Sequence, residues 1–189
     1  MTDRDVSRTW SSALRSPRRL GHHEGVTAPA LHPDLATLAL LLGEWRGEGR
    51  GQWGEGAPFA YREEVAFRHS GKPVLAYTQR TVALDDGRPL HAEMGYWRPV
   101  PGGAVEVTMA HPTGFAEIEL GTVEGGRLRL ATAAVERTPT AKTVTRLERD
   151  IDVDGDTLHY VVRMATGGGA AVWHLEATLH RTQATGDGR

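Results

Sequence analysis

The sequence predicts an all-β protein, a ten-stranded antiparallel up-and-down β-barrel with one short helix before it. Three observations carry this prediction. Beyond Gly43 apolar and polar residues alternate with period two, turn signals punctuate the chain at short intervals, and no gap between strands has room for a crossover helix. A long meander leaves two unpaired edges, and closing it into a barrel removes both. A two-sheet sandwich is the alternative arrangement of the same strands.

The helix comes first. Leu35, Leu38, Leu41 and Leu42 fall at helical spacing, Pro33 and Asp34 suit its start, and Gly43 is placed to end it. The strand-like segments then run over roughly 44–53, 59–69, 73–84, 90–99, 104–111, 114–122, 127–134, 142–153, 157–165 and 171–181. Between them stand Asp85-Asp86-Gly87, Pro101-Gly102-Gly103, Pro112-Thr113-Gly114, Glu124-Gly125-Gly126, Asp154-Gly155-Asp156 and Gly167-Gly168-Gly169. Val105, Val107 and Met109 share one face of their strand, and Leu128 and Leu130 share one face of theirs. Ten strands enclose more space than eight, so the barrel should hold a ligand.

Composition bounds the function. The chain has 189 residues, enough for one domain with tails: 1–30 as a disordered N-terminal tail, 31–182 as the barrel, 183–189 as a C-terminal tail. The 22 Lys+Arg against 24 Asp+Glu leave a net charge of −2, without the basic field of a dedicated nucleic-acid binder. With no cysteine there is no disulfide framework, thiolate nucleophile or cysteine-ligated metal. No apolar run reaches the ~18 residues of a spanning helix, and the Arg-rich start lacks the apolar core of a signal peptide. A cytoplasmic location without membrane or nucleic-acid partners is expected, and a homodimer is left open.

Three motifs are candidates for chemistry. Gly43-Glu44-Trp45-Arg46-Gly47-Glu48-Gly49 follows a helix and leads into a strand, the reverse of a dinucleotide fingerprint, so Trp45 is expected to plug one end of the barrel. Among nine histidines there is no H-E-x-x-H zincin motif, and there is no G-x-S-x-G elbow. His174 lies in the last strand, where a neutral imidazole can ligate a haem iron. Simple alternation would turn Leu175, Ala177 and Leu179 inward and His174 outward. An inward His174 therefore needs a bend or bulge, which the nearby Gly167–Gly169 would permit. Finally, Pro139-Thr140-Ala141-Lys142 puts a lysine where it can meet a ligand carboxylate at the barrel mouth.

Taken together, the chain resembles the nitrobindins, haem-binding β-barrels also described as peroxynitrite isomerases. The resemblance covers about 33–182. It rests on the Gly43–Gly49 run, Pro58-Phe59-Ala60-Tyr61-Arg62-Glu63-Glu64, and His69-Ser70-Gly71-Lys72-Pro73 with Tyr77-Thr78-Gln79. It continues in Leu90-His91-Ala92-Glu93-Met94-Gly95-Tyr96, Pro139–Lys142, Asp154-Gly155 and His174-Leu175. It implies an architecture like that of fatty-acid-binding proteins and lipocalins, with haem b at one mouth. His174 would be the axial ligand and catalytic residue, Lys142 a haem-edge contact, and His91 a contact on the opposite side or rim. Ferric haem would isomerise peroxynitrite to nitrate, and ferrous haem would bind nitric oxide. The pocket opposite the axial histidine is expected to be largely apolar, with few proton donors. Where many members have Tyr-Pro-Thr, this chain has Trp53-Gly54-Glu55, which would bring the Glu55 carboxylate to the haem edge. The competing reading is a non-catalytic carrier of an apolar ligand such as a fatty acid.

Overall fold

The computed structural model describes residues 29–182; the expectations for most of the N-terminal tail and for 183–189 lie outside the described residues. Ten antiparallel strands close into one barrel. They are β1 (Gly43–Gly51), β2 (Phe59–His69), β3 (Leu75–Ala83), β4 (Pro89–Val100), β5 (Ala104–His111), β6 (Phe115–Glu124), β7 (Arg127–Arg137), β8 (Arg146–Asp154), β9 (Thr157–Ala165) and β10 (Val172–Thr182). Each strand pairs with its neighbour in sequence, and β1 pairs with β10 to complete the ring. Closure excludes the sandwich. No helix among the described residues is long and apolar enough to cross a membrane.

The helix is a 3₁₀ helix, Pro33–Leu41. Its buried residues, Leu35, Leu38 and Leu41, recur every third position, which suits three residues per turn better than the α-helical period. The His32 side chain caps it by accepting from the Asp34 amide, so Asp34 lies in the first turn and is not the cap. The helix closes one end of the barrel together with Trp45. The Trp45 indole N–H donates to the Leu41 carbonyl at 2.8 Å, and the Arg181 guanidinium lies 4.0 Å over the indole ring.

The inward residues after Trp45 on β1 are Gly47, Gly49 and Gly51. At Gly49 a Cβ would collide with the Tyr61 ring, so this glycine makes the space in which Tyr61 crosses the barrel. The two faces predicted for β5 and β7 are found. Val105, Val107, Met109, Leu128 and Leu130 are all buried. The segment expected to open β8 at Lys142 is instead a turn. The Ala141 amide donates to the Thr138 carbonyl, and the strand begins only at Arg146. As a result β7 pairs with β8 only from Arg127 to Ala131. Beyond that point the two strands part, and 138–145 lies at the mouth opposite the helix.

Candidate functional site

A cavity of about 830 Å³ fills the barrel above its helical plug. His174, Lys142 and His91 all line it; Glu55 does not, and lies exposed in the turn after Trp53.

His174 reaches the cavity by a β-bulge. The pairing of β10 with β9 shifts register between Trp173 and Leu175, so His174 has no β9 partner and its side chain turns inward. Leu175 is half-buried, while Ala177 and Leu179 keep the inward parity beyond the bulge. The bulge falls at His174 itself, whereas Gly167–Gly169 forms part of the preceding loop. Gln52 holds the bulge from the β1 side. Its amide donates to the His174 carbonyl at 2.9 Å, and its carbonyl lies 2.7 Å from His174 Nδ1. A carbonyl oxygen only accepts, so Nδ1 carries the proton and Nε2 keeps its lone pair. Burial lowers the His174 pKa in spite of the Gln52 bond, and His91, Arg149 and Lys142 add to the lowering. The imidazole is therefore held neutral, the form that binds a metal.

Trp53 meets His174 edge-on, with ring centroids 5.4 Å apart, and Lys142 Nζ sits 4.1 Å over the Trp53 ring. Trp53 thus links the two predicted residues. Reading 44–53 as a strand hid this role, because β1 ends at Gly51 and Gln52-Trp53 turns across the mouth.

The cavity lining is largely apolar, but its buried wall across from His174 corrects the expectation of few proton donors. It carries Glu63, Glu93, Glu117, Glu119 and Arg149, all buried. Arg149 donates to Glu93 Oε2 at 3.2 Å, to Glu117 Oε1 from both terminal nitrogens, and to Glu119 Oε1. Tyr77 donates to Glu93 Oε1 at 2.7 Å, and Tyr160 and Gln79 donate to Glu63 at 2.7 and 3.0 Å. Hydrophobicity alone hides this wall. On β6 it would turn Ile118 and Leu120 inward, yet those are exposed, and Glu117 and Glu119 are 2% and 0% exposed. The remaining signal is that Glu63, Glu93, Glu117, Glu119 and Arg149 each share a parity with inward neighbours on their strands.

Burial pushes the Glu93 carboxyl up, but Arg149, His91 and His111 outweigh it and hold Glu93 well below the usual carboxylate range. Glu63 goes the other way. Burial raises it from 4.5 to about 7 against the pull of Tyr160 and Gln79. Native protein thus binds a proton at Glu63 that unfolded chain releases, so this group weakens the fold as pH rises from about 4.5 to 7. By linkage the loss approaches about 3 kcal/mol. Glu63→Gln removes that loss. Relative to the parent, the variant should gain stability between pH 5 and pH 8, which denaturant unfolding at the two pH values would measure.

The geometry fits a haem on grounds internal to this structure. A neutral histidine presents a free Nε2 to a large cavity, its Nδ1 proton is anchored to a backbone carbonyl, and an aromatic ring and a lysine flank it at the mouth. The comparisons agree. A family model described as "THAP4-like, heme-binding beta-barrel domain" matches residues 34–181. Peroxynitrite isomerase 2 of Mycobacterium avium is 52% identical over 155 residues, covering 80% of this chain and 96% of that protein. Peroxynitrite isomerase of Nocardia farcinica is 49% identical over 156 residues, covering 80% and 93%. The crystal structure of Rv2717c from M. tuberculosis superposes with a TM-score of 0.76 at 46% identity, covering 82% of this chain and all of that one. The motifs, the closed barrel and these matches make the chain a member of the nitrobindin family, the THAP4-like, heme-binding beta-barrel domains.

Proposed function

We infer that this chain is a haem-dependent peroxynitrite isomerase whose haem is held by His174 Nε2. The observation that carries the reading is the Gln52–His174 clamp, which fixes the tautomer and leaves one lone pair facing the cavity. Relatives at about 50% identity bear the name peroxynitrite isomerase and supply the substrate. The haem is of the b type, since a chain without cysteine has no thiol to form a thioether link. When bound, the haem supplies a ferric Lewis-acid centre for rearranging peroxynitrite to nitrate and, when reduced, a centre for nitric oxide.

The rest is the work of the chain. Gln52 orients the axial imidazole and keeps its proton on Nδ1. Lys142 and Trp53 close one side of the mouth, where the ammonium can pair with a haem propionate. The apolar residues Phe115, Val144, Leu147, Val162 and Met164 line the same region and keep bulk water from the bound substrate. His91, half-buried on the facing wall, can hydrogen-bond an anion bound between it and His174. Titrating the full chain with hemin should give a Soret band that saturates at about one equivalent per chain, as a single axial histidine requires. A chain that takes up no hemin overturns this reading and leaves the apolar-ligand carrier.

A further inference from the structure

Three donor atoms meet on the wall across from His174. His91 Nε2 and His111 Nδ1 are 3.2 Å apart, His91 Nε2 and Glu93 Oε2 are 3.6 Å apart, and His111 Nδ1 and Glu93 Oε2 are 3.4 Å apart. These are close to the ligand–ligand edges of a tetrahedral zinc site, which come to about 3.3 Å for bonds of about 2.0–2.1 Å.

The hydrogen bonding around the triangle leaves it short of protons. His111 Nε2 faces Glu117 Oε1 at 3.0 Å, and that oxygen already accepts from both Arg149 terminal nitrogens. It acts as an acceptor, so the His111 proton sits on Nε2 and Nδ1 offers a lone pair to the triangle. Glu93 Oε2 is an acceptor as well. A proton on His91 Nε2 serves one edge and leaves Nδ1 and Oε2 facing each other unbridged. A dication at the centre serves all three. The Glu117–His111 pair is also the carboxylate–histidine arrangement that orients a metal-ligating imidazole. Arg149 is shared by three buried carboxylates, Glu93, Glu117 and Glu119, so acidic groups outnumber the guanidinium here, which favours a cation at this wall.

We propose that His91, Glu93 and His111 form a second metal site, for a divalent ion of the zinc or cobalt class, separate from the haem ligand. All three residues line the cavity, so an ion there keeps a position open to it. β4 and β5 stand four and five places round the ring from β10, so that open position faces the His174 wall across the cavity. The sequence gives no warning of this set. His91 and Glu93 are two apart on one strand, and His111 comes from the next, outside any H-E-x-x-H pattern.

The test is equilibrium dialysis of the full chain against zinc chloride, with hemin-loaded and unloaded protein in parallel. About one zinc per chain is expected in each form, and unloaded protein given cobalt should show the intense visible bands of a four-coordinate site. His91→Ala, at a half-buried position on β4, should weaken zinc binding by at least ~100-fold. His174→Ala should leave zinc binding unchanged. Zinc bound by neither form, zinc bound equally well by His91→Ala, or zinc lost in His174→Ala would each overturn the proposal.

Discussion

His174→Ala is expected to weaken hemin binding by at least ~100-fold, since it removes the proposed axial bond while leaving the pocket walls in place. The fold should survive. The Gln52 amide donates to the His174 carbonyl, a backbone bond that alanine keeps. The substitution leaves a hole lined by Trp53, with the Gln52 carbonyl still waiting for a donor. Added imidazole should enter this hole, donate to Gln52, offer its other nitrogen to the iron, and restore much of the Soret intensity. Titrations with and without imidazole check both parts. A variant that binds hemin as tightly as the parent, with the same spectrum, would remove His174 from the site.

Arg149→Met should produce the largest loss of stability. The guanidinium is the shared partner of Glu93, Glu117 and Glu119. Removing one side of a buried ion cluster strands the other, at a typical cost of about 3–5 kcal/mol. For a chain of this size that lowers Tm by roughly 6 to 20 °C. The effect should depend on pH. Without Arg149, the burial of Glu93 and Glu117 is no longer opposed by the guanidinium, and their native pKa values rise. Their protonated forms then become available as pH falls, so the deficit should be larger at pH 8 than at pH 5. Thermal unfolding at both pH values tests this, and an equal or smaller deficit at pH 8 would mean that the wall is not held by charge.

The barrel was legible because its signals are local. Asp-Gly and Gly-Gly pairs mark turns in which Gly87, Gly102, Gly103, Gly125, Gly126 and Gly155 adopt positive φ, and these turns fix which strands are neighbours. The helix was legible as a leucine pattern, and its three-residue period identifies the 3₁₀ form once Leu42 is set aside. His174 and Lys142 could be picked out through the family motifs. Physical reading alone could not turn His174 inward, because its bulge is set by Gln52, 122 residues away in sequence. The facing wall was hidden for a related reason. Whether Glu63 or Glu64 points inward depends on register, and the ladders turn Glu64 out to Arg80 while Glu63 stays in. An interior built around a ligand breaks the rule that apolar residues face the core, and β6 breaks it most plainly.

The most direct test is the fate of peroxynitrite mixed rapidly with the hemin-loaded full chain, followed by its absorbance decay and by the nitrate formed. Decay should be faster than with unloaded chain and proportional to the loaded protein, nitrate should be the dominant product, and His174→Ala should abolish the acceleration. Decay no faster than with unloaded chain would rule out haem-dependent isomerisation, and equal acceleration by the His174→Ala variant would rule out His174 as the haem ligand.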